Sequence, residues 1–400
     1  MTRLAYFDCA ATTRPAPEVL DAMRAVQEET WGNASSAHGF GQAARRLVED
    51  ARGKVAALIG ARPEEIIFTS GATESNNTVF QSIAPALKGR GRRIVTTAIE
   101  HPSVLESVQW LETQGWSVAR AGVDGTALVA PAEIGRLLGD GAALVSVMLA
   151  NNEVGTIEPV AEIAALARAR GAALHTDATQ AVGRIPVDVN ALGVDYLSLS
   201  GHKLHGPKGV GALFVRRGAK VSPLLHGGEQ EGGRRSGTLN VPGIVGLGAA
   251  AALAARDLPG RAARIAHLRD ALEQGLMARI PNVILNGHPT RRLPSHANLS
   301  VSFVEGESMM MGLDLAGVAV STGSACSSGS LEPSHVLTAM GCDAGRAHAS
   351  LRLSVGYDNT EEDVARALET MPAVVERLRK MSPTWADYKK KQAVAAAPKG

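Results

Sequence analysis

Between about Glu64 and Val215 the chain alternates short apolar runs with segments of helical spacing, and this alternation restricts the fold more than anything else in the sequence. The runs are Glu65-Ile-Ile-Phe-Thr69, Arg93-Ile-Val-Thr-Thr97, Ala143-Leu-Val-Ser-Val-Met148, Ala172-Ala-Leu-His-Thr176 and Tyr196-Leu-Ser-Leu-Ser200. Short, bounded and apolar throughout, they read as strands buried on both faces. The segments 101–114 and 160–170 between them read as helices. Strand–helix alternation implies a mostly parallel sheet covered by helices on both sides. In open sheets of this kind, ligands bind beyond the carboxyl ends of the strands.

The pattern changes near Arg256, where Asp257-Leu-Pro-Gly260 interrupts a helix. The segment 261–280 is amphipathic, with Leu268, Leu272 and Leu276 along one face. Strand-like runs follow at 282–285, 297–303 and 350–355, then a last helix over roughly 361–381. A chain of 400 residues exceeds what a single core usually serves. The expected fold class is therefore α/β. A large mostly parallel sheet domain (14–255) has helices on both faces, and a smaller α+β C-terminal domain is formed by 1–13 and 256–388. From Lys389 to Gly400, three lysines and an Ala-rich end offer nothing to bury, so a flexible tail is expected.

A formal net charge of +2 is too small to attract nucleic acid or an acidic membrane surface, so neither is expected as a partner. The weakly polar stretch from Val241 to Ala255 is shorter than the ~20 residues a membrane span needs and reads as a buried helix. The first residues hold no apolar run suited to a signal peptide. Three cysteines, Cys9, Cys326 and Cys342, cannot all pair within one chain, and none forms a CxxC, which suits a reducing, cytoplasmic setting. No pair of histidines has the helical spacing of a zinc site, and no metal site is expected.

Polar groups gather where the strands end. Ser200-Gly-His-Lys203 follows one strand and sets Lys203 over the sheet's edge, although an isolated tetrapeptide of this kind suits a surface turn equally well. Gly206-Pro-Lys-Gly-Val-Gly211 lacks the Gly-Lys-Ser/Thr ending of a phosphate loop. His175-Thr-Asp-Ala-Thr-Gln180 ends the preceding strand on Asp177, which alone reads as a helix cap. Together, Lys203 and Asp177 are what pyridoxal phosphate requires: an amine for a Schiff base and a carboxylate against the pyridinium nitrogen. Ser70-Gly-Ala-Thr-Glu74, between a strand and a helix, offers backbone N–H groups to a phosphate. Glu100-His-Pro102 adds His101, an imidazole suited to stack on the cofactor ring.

These residues resemble the cysteine desulfurases of the NifS/IscS type, fold-type I pyridoxal-phosphate enzymes of the class V aminotransferase family. The resemblance runs from Tyr6-Phe-Asp-Cys-Ala-Ala-Thr-Thr13 to about Tyr388. Its further motifs are Ser70-Gly-Ala-Thr-Glu-Ser75, Asn151-Asn-Glu-Val-Gly155, Arg235-Ser-Gly-Thr238 and Gly323-Ser-Ala-Cys-Ser-Ser-Gly-Ser-Leu-Glu-Pro-Ser-His335. It implies that Lys203 carries the cofactor, Asp177 pairs with the ring nitrogen, Gln180 reaches the ring hydroxyl, and His101 stacks on the ring and shuttles a proton. Ala72, Thr73, Ser200 and His202 would hold the phosphate, with Thr238 donated by the second subunit of a homodimer. Asn152 and Arg352 would grip the substrate carboxylate.

Cys326, in the Ser/Gly stretch Ser321-Thr-Gly-Ser-Ala-Cys-Ser-Ser-Gly-Ser330, reads as an exposed thiol on a mobile loop (321–332). The loop resembles that of the long-loop desulfurases and lacks the Arg-x-Gly-His-x pattern of the selenocysteine-lyase-like group. The implied reaction converts L-cysteine to L-alanine and leaves a persulfide on Cys326. The sulfur then passes to an iron–sulfur scaffold protein, with Cys326 a transient ligand of a nascent cluster on that partner. Ser200-Gly-His-Lys-Leu-His205 and Leu224-Leu-His-Gly-Gly228 lean toward the nitrogenase-associated form, while a housekeeping IscS-type enzyme shares nearly every motif. Two alternatives stay open: another pyridoxal-phosphate lyase or aminotransferase of this fold, and a non-catalytic sulfur-transfer scaffold.

Overall fold

A computed structural model of the chain describes residues 4–323 and 332–396, with side chains to residue 392. A short strand, β1 (Ala5–Tyr6), comes first. Seven more follow: β2 (Ile66–Thr69), β3 (Arg93–Thr97), β4 (Ser117–Ala121), β5 (Leu144–Ser146), β6 (Ala173–Asp177), β7 (Tyr196–Ser200) and β8 (Gly211–Val215). They form one sheet in the order β2-β8-β7-β6-β5-β3-β4. From β4 to β7 all neighbours are parallel, and β8 runs antiparallel between β7 and β2.

The sheet explains the continuous apolar runs. Successive residues of a strand face opposite sides. Ile94, Leu144, Ala173 and Tyr196 enter a core with Phe80 and Ile83 and with Val108 of the helix Pro102–Thr113. Their neighbours Val95, Val145, Leu174 and Leu197 enter the other core, against Val48 and Val55 of the helix Gly39–Leu58 and Ile163 of Val160–Ala169. Each expected run coincides with a strand of this sheet to within a few residues at either end. Two strands are additional to the sequence reading. β4 lies at the sheet edge, with Ser117 and Arg120 exposed, and β8 emerges directly from a Gly-rich turn.

The helix Val241–Arg256 is largely buried, as its composition suggests. A Cβ on Gly248 would lie 2.7 Å from the Ala51 Cα, so this glycine allows the helix to pack backbone to backbone on Gly39–Leu58. At Asp257 the chain turns by 80° into the helix Leu258–Arg279. Among the described residues, no single helix is long and apolar enough to cross a membrane.

Beyond the turn lie β9 (Val283–Asn286), β10 (His296–Val301), β11 (Val318–Ala319), β12 (Ser321–Thr322) and β13 (Ser350–Ser354). An antiparallel sheet in the order β12-β13-β10-β9 forms here, and β1 pairs in parallel with β11. Its core joins Leu268, Leu272 and Leu276 to Leu299 and Leu351, and to Ala5 and Phe7 from the chain's first residues. Each such leucine contributes roughly 1.5–3 kcal/mol through burial.

At the C-terminus, where the sequence reading expects a flexible tail over 389–400, residues 389–396 continue the helix Pro383–Ala396 and the last four lie outside the described residues. Proline suits a helix's first turn, and Ala, Lys and Gln are strong helix formers. Trp385 and Tyr388 anchor the helix on Phe303, with ring centroids 5.3 and 4.7 Å away, and the Arg379 guanidinium lies over Trp385.

Candidate active site

The carboxyl ends of the parallel strands open onto a cavity of about 580 Å³. After β2 the backbone turns through Ser70 and Gly71 into a helix that starts at Ala72. After β3, His101 caps the helix Pro102–Thr113. β6 ends on Asp177, and β7 ends on Ser200, followed by a short 3₁₀ turn over Gly201–Lys203. Arg352, on β13, closes the opposite side. All of Ala72, Thr73, His101, Asn152, Asp177, Gln180, Ser200, His202, Lys203 and Arg352 line this one cavity. Thr238 does not line it and is exposed. Cys326 lies outside the described residues, but the segments on either side of residues 324–331 are fixed beside the cavity. Ser321 pairs with Arg352 across β12 and β13, Ser334 Oγ donates to the Glu153 carboxylate, and His335 Nε2 lies 2.9 Å from the Glu100 carbonyl oxygen.

A close backbone approach shapes the β2 side. Gly211 stands opposite both Ser200 and Thr69, and a Cβ there would meet the Leu199 carbonyl oxygen at 2.5 Å and the Gly71 Cα at 2.7 Å. Gly71 itself, at φ +155°, enters the helix from a backbone conformation that suits glycine. The helix's first N–H groups, at Ala72 and Thr73, therefore lie beside Ser200 at the end of β7, a combination suited to a phosphate.

A polar chain, buried at Asp177 and Asn76, links Asp177 to His101. Asn76 donates to Asp177 Oδ2 and to Ser103 Oγ, both at 2.8 Å. Ser103 Oγ lies 2.9 Å from His101 Nδ1, which also accepts from the Ser103 backbone N–H at 3.1 Å. With Nδ1 accepting, the neutral ring carries its proton on Nε2. Burial holds the His101 pKa below its usual range, against the opposing field of Asp177. Asp177 is further oriented by the Thr179 N–H at 3.0 Å.

The first strand's continuation roofs the site. Lys203 Nζ donates to the carbonyl oxygens of Ala10 and Ala11 at 2.6 and 2.7 Å. Gln180 donates to Ala10 O at 3.0 Å and accepts from Arg184, which also donates to Cys9 O at 2.8 Å. His202 Nδ1 lies 3.1 Å from Thr12 Oγ1, and burial, with Lys203 and Lys208 nearby, pushes its pKa down to about 4. Arg352 donates to Asn152 O at 3.0 Å and to Asp8 Oδ1 at 2.9 Å.

Asn76, Ser103, Arg184 and Asp8 were not singled out in the sequence. Only Asp8 had a signal, since it stands inside Tyr6-Phe-Asp-Cys-Ala-Ala-Thr-Thr13. Among the described residues, Asn152 Oδ1, Thr179 Oγ1 and Arg352 Nε are buried without hydrogen-bond partners. Such groups cost about 1–3 kcal/mol each unless a ligand satisfies them. A strand-end lysine, an oriented carboxylate, a phosphate cradle and a guanidinium fit pyridoxal phosphate with an amino acid beside it.

Comparison with known proteins agrees with this geometry. The family model aminotransferase class-V matches residues 5–367. The cysteine desulfurase IscS of Methanosarcina thermophila is 48% identical over 378 residues, covering 94% of this chain and 93% of that protein. The chain belongs to the cysteine desulfurases of the class V aminotransferase family. Among solved structures of similar proteins, a NifS-like protein superposes with a TM-score of 0.89 at 40% identity, covering 94% of this chain and all of the other. SspA in complex with cysteine superposes at 0.76 with 34% identity, over 88% of this chain and 98% of that one. The desulfurase fold, a large mostly parallel sheet with helices on both faces beside a smaller α+β unit, is thus shared along nearly the whole chain.

Proposed function

We propose that this chain is a pyridoxal-phosphate-dependent cysteine desulfurase that converts L-cysteine to L-alanine and takes the sulfur onto Cys326 for iron–sulfur cluster assembly. The observation that carries the reading is the convergence of Lys203, Asp177, His101 and Arg352 on one cavity at the strand ends. Bound there, pyridoxal phosphate supplies an electron sink for breaking bonds at the substrate's carbons. Lys203 Nζ would hold the cofactor and would serve as the base for the substrate's α-proton. Asp177, oriented by Asn76 and the Thr179 N–H, keeps a proton on the ring nitrogen. Ala72, Thr73, Ser200 and His202 hold the phosphate, and Gln180 the ring hydroxyl. His101, neutral and carrying its proton on Nε2, would lie against the ring and could pass a proton. Arg352 and Asn152 fix the substrate carboxylate.

The Cys326 thiolate attacks the substrate sulfur. A sulfur–sulfur bond forms as the carbon–sulfur bond breaks, and the electron pair stays with the carbon skeleton released as alanine. Fixation of Ser321, Ser334 and His335 beside the cavity supports this role. The division into a large unit (14–255) and a small one (1–13 with 256–388) belongs to the same reading. So do a cytoplasmic setting and a homodimer in which Thr238 serves the neighbouring site. Thr238's exposure outside its own cavity supports the last of these.

The test follows alanine, protein-bound persulfide and cofactor absorbance together. Wild type should be yellow and release one alanine per sulfur transferred. Cys326→Ala should still change absorbance with cysteine while alanine release falls to background. Wild-type alanine release by that variant, or an α-keto acid product from wild type, would overturn the reading. Supply of sulfur to nitrogenase is its narrower form, tested by growth on dinitrogen of a strain lacking the gene.

A further inference from the structure

Arg352 is not simply an open receptor for a carboxylate. It is almost fully buried, and among the described residues its ion-pair partner is Asp8, whose side chain is partly exposed. Nη1 donates to Asn152 O, Nη2 to Asp8 Oδ1, and Nε has no partner. Arg352 lines the cavity, whereas Asp8 does not, and Asp8 stands on the segment that also supplies the carbonyls holding Lys203.

An amino acid bound at this site brings a second carboxylate to a guanidinium that already has one. Like charges sharing one cation repel, and the effect is large where one partner is shielded from water. Arg352 keeps its place without Asp8, because burial within β13 and the Asn152 carbonyl both hold it. We propose that Asp8 is a positioning residue that lowers the site's affinity for α-carboxylates, and so speeds the departure of the product amino acid. The inference rests on the desulfurase reading only in naming that product as alanine. Asp8→Asn keeps an oxygen acceptor for Nη2 and removes the charge.

The experiment titrates pyridoxal-phosphate-loaded wild type, Asp8→Asn, Asp8→Ser and Asp8→Glu with L-alanine and L-alaninamide, read by cofactor absorbance. KM and kcat for cysteine are measured beside them. Both neutral variants should bind alanine on the order of three- to tenfold more tightly, as expected for removing one partly screened like charge. Alaninamide, which lacks the carboxylate, should bind all four proteins alike. Asp8→Glu should stay near wild type. KM for cysteine should fall in the neutral variants, with kcat lower as alanine leaves more slowly. Weaker or unchanged alanine binding in the folded neutral variants, or an equal gain for alaninamide, overturns the proposal. If wild type makes no alanine from cysteine, the desulfurase reading falls by that result alone, and the alanine–alaninamide comparison still decides the role of Asp8.

Discussion

Two nitrogens of Arg352 are engaged within the chain and one is buried without a partner, so its contribution to binding is separable from its contribution to shape. Arg352→Ala should leave the cofactor spectrum intact and weaken cysteine roughly 10–150-fold, the value of a charge-assisted hydrogen-bonded partner of about 1.5–3 kcal/mol. An unchanged cysteine titration would remove Arg352 from the substrate site. Lys203→Ala should abolish the borohydride-reducible attachment of cofactor to the chain, and a retained adduct would identify another lysine. Lys203, Asp177 and His101 were legible in the sequence because each ends or follows a strand and carries a reactive group, whereas Arg352, in the middle of β13, was named only through the family resemblance. Asn76 and Ser103 were not legible. Their importance comes from bridging Asp177 and His101, a placement set by tertiary packing that no local pattern announces.

Strands depend on their neighbours for more than hydrogen bonds, and Gly211 shows it. The Leu199 carbonyl and Gly71 Cα that would meet its Cβ are both backbone, so neither can swing aside. Gly211→Ala should push the turn after β2 away from β7 and loosen the phosphate cradle. Overpacking of this kind costs about 1–3 kcal/mol, or roughly 5–150-fold in cofactor affinity if expressed at the site. Cofactor loss on dialysis, compared with the melting temperature, checks it; full retention would show that the cradle tolerates the shift. The parallel strands could be read from sequence because burial on both faces leaves an unbroken apolar run. β8 was missed because its start merges with the Gly-rich turn, and strand direction leaves no mark on composition. The last helix was missed because its anchor, Phe303, lies far away in the chain.

Across the whole molecule, buried titratable groups pull stability in opposite directions with pH. Burial raises Glu100 and Glu158 to about 8 and Glu153 to about 7. The folded chain thus keeps protons that the unfolded chain has lost above about 4.5, and stability declines as pH rises toward 8. Burial also lowers His175 and His202 to about 4 and His205 to about 3. Below about 6.5 the unfolded chain takes up protons that the folded chain refuses, and stability declines again as pH falls. The urea midpoint of the loaded protein should therefore peak between about pH 4.5 and 6.5. Glu158→Gln should flatten the alkaline decline by up to about 1.4 kcal/mol per pH unit. A midpoint still rising from pH 6.5 to 8 would contradict this assignment. The pairing of Ala5 with Val318 carries a consequence of another kind. On the ribosome, β1, which leads into the residues that roof the site, is made about 310 residues before its pairing partner β11. At 5–20 residues per second that wait lasts roughly 15–60 s. The parallel sheet can close in the meantime, so a nascent chain stalled before β11 should carry an assembled set of strand ends whose roof is held from that side alone, by Gln180, Arg184 and Lys203.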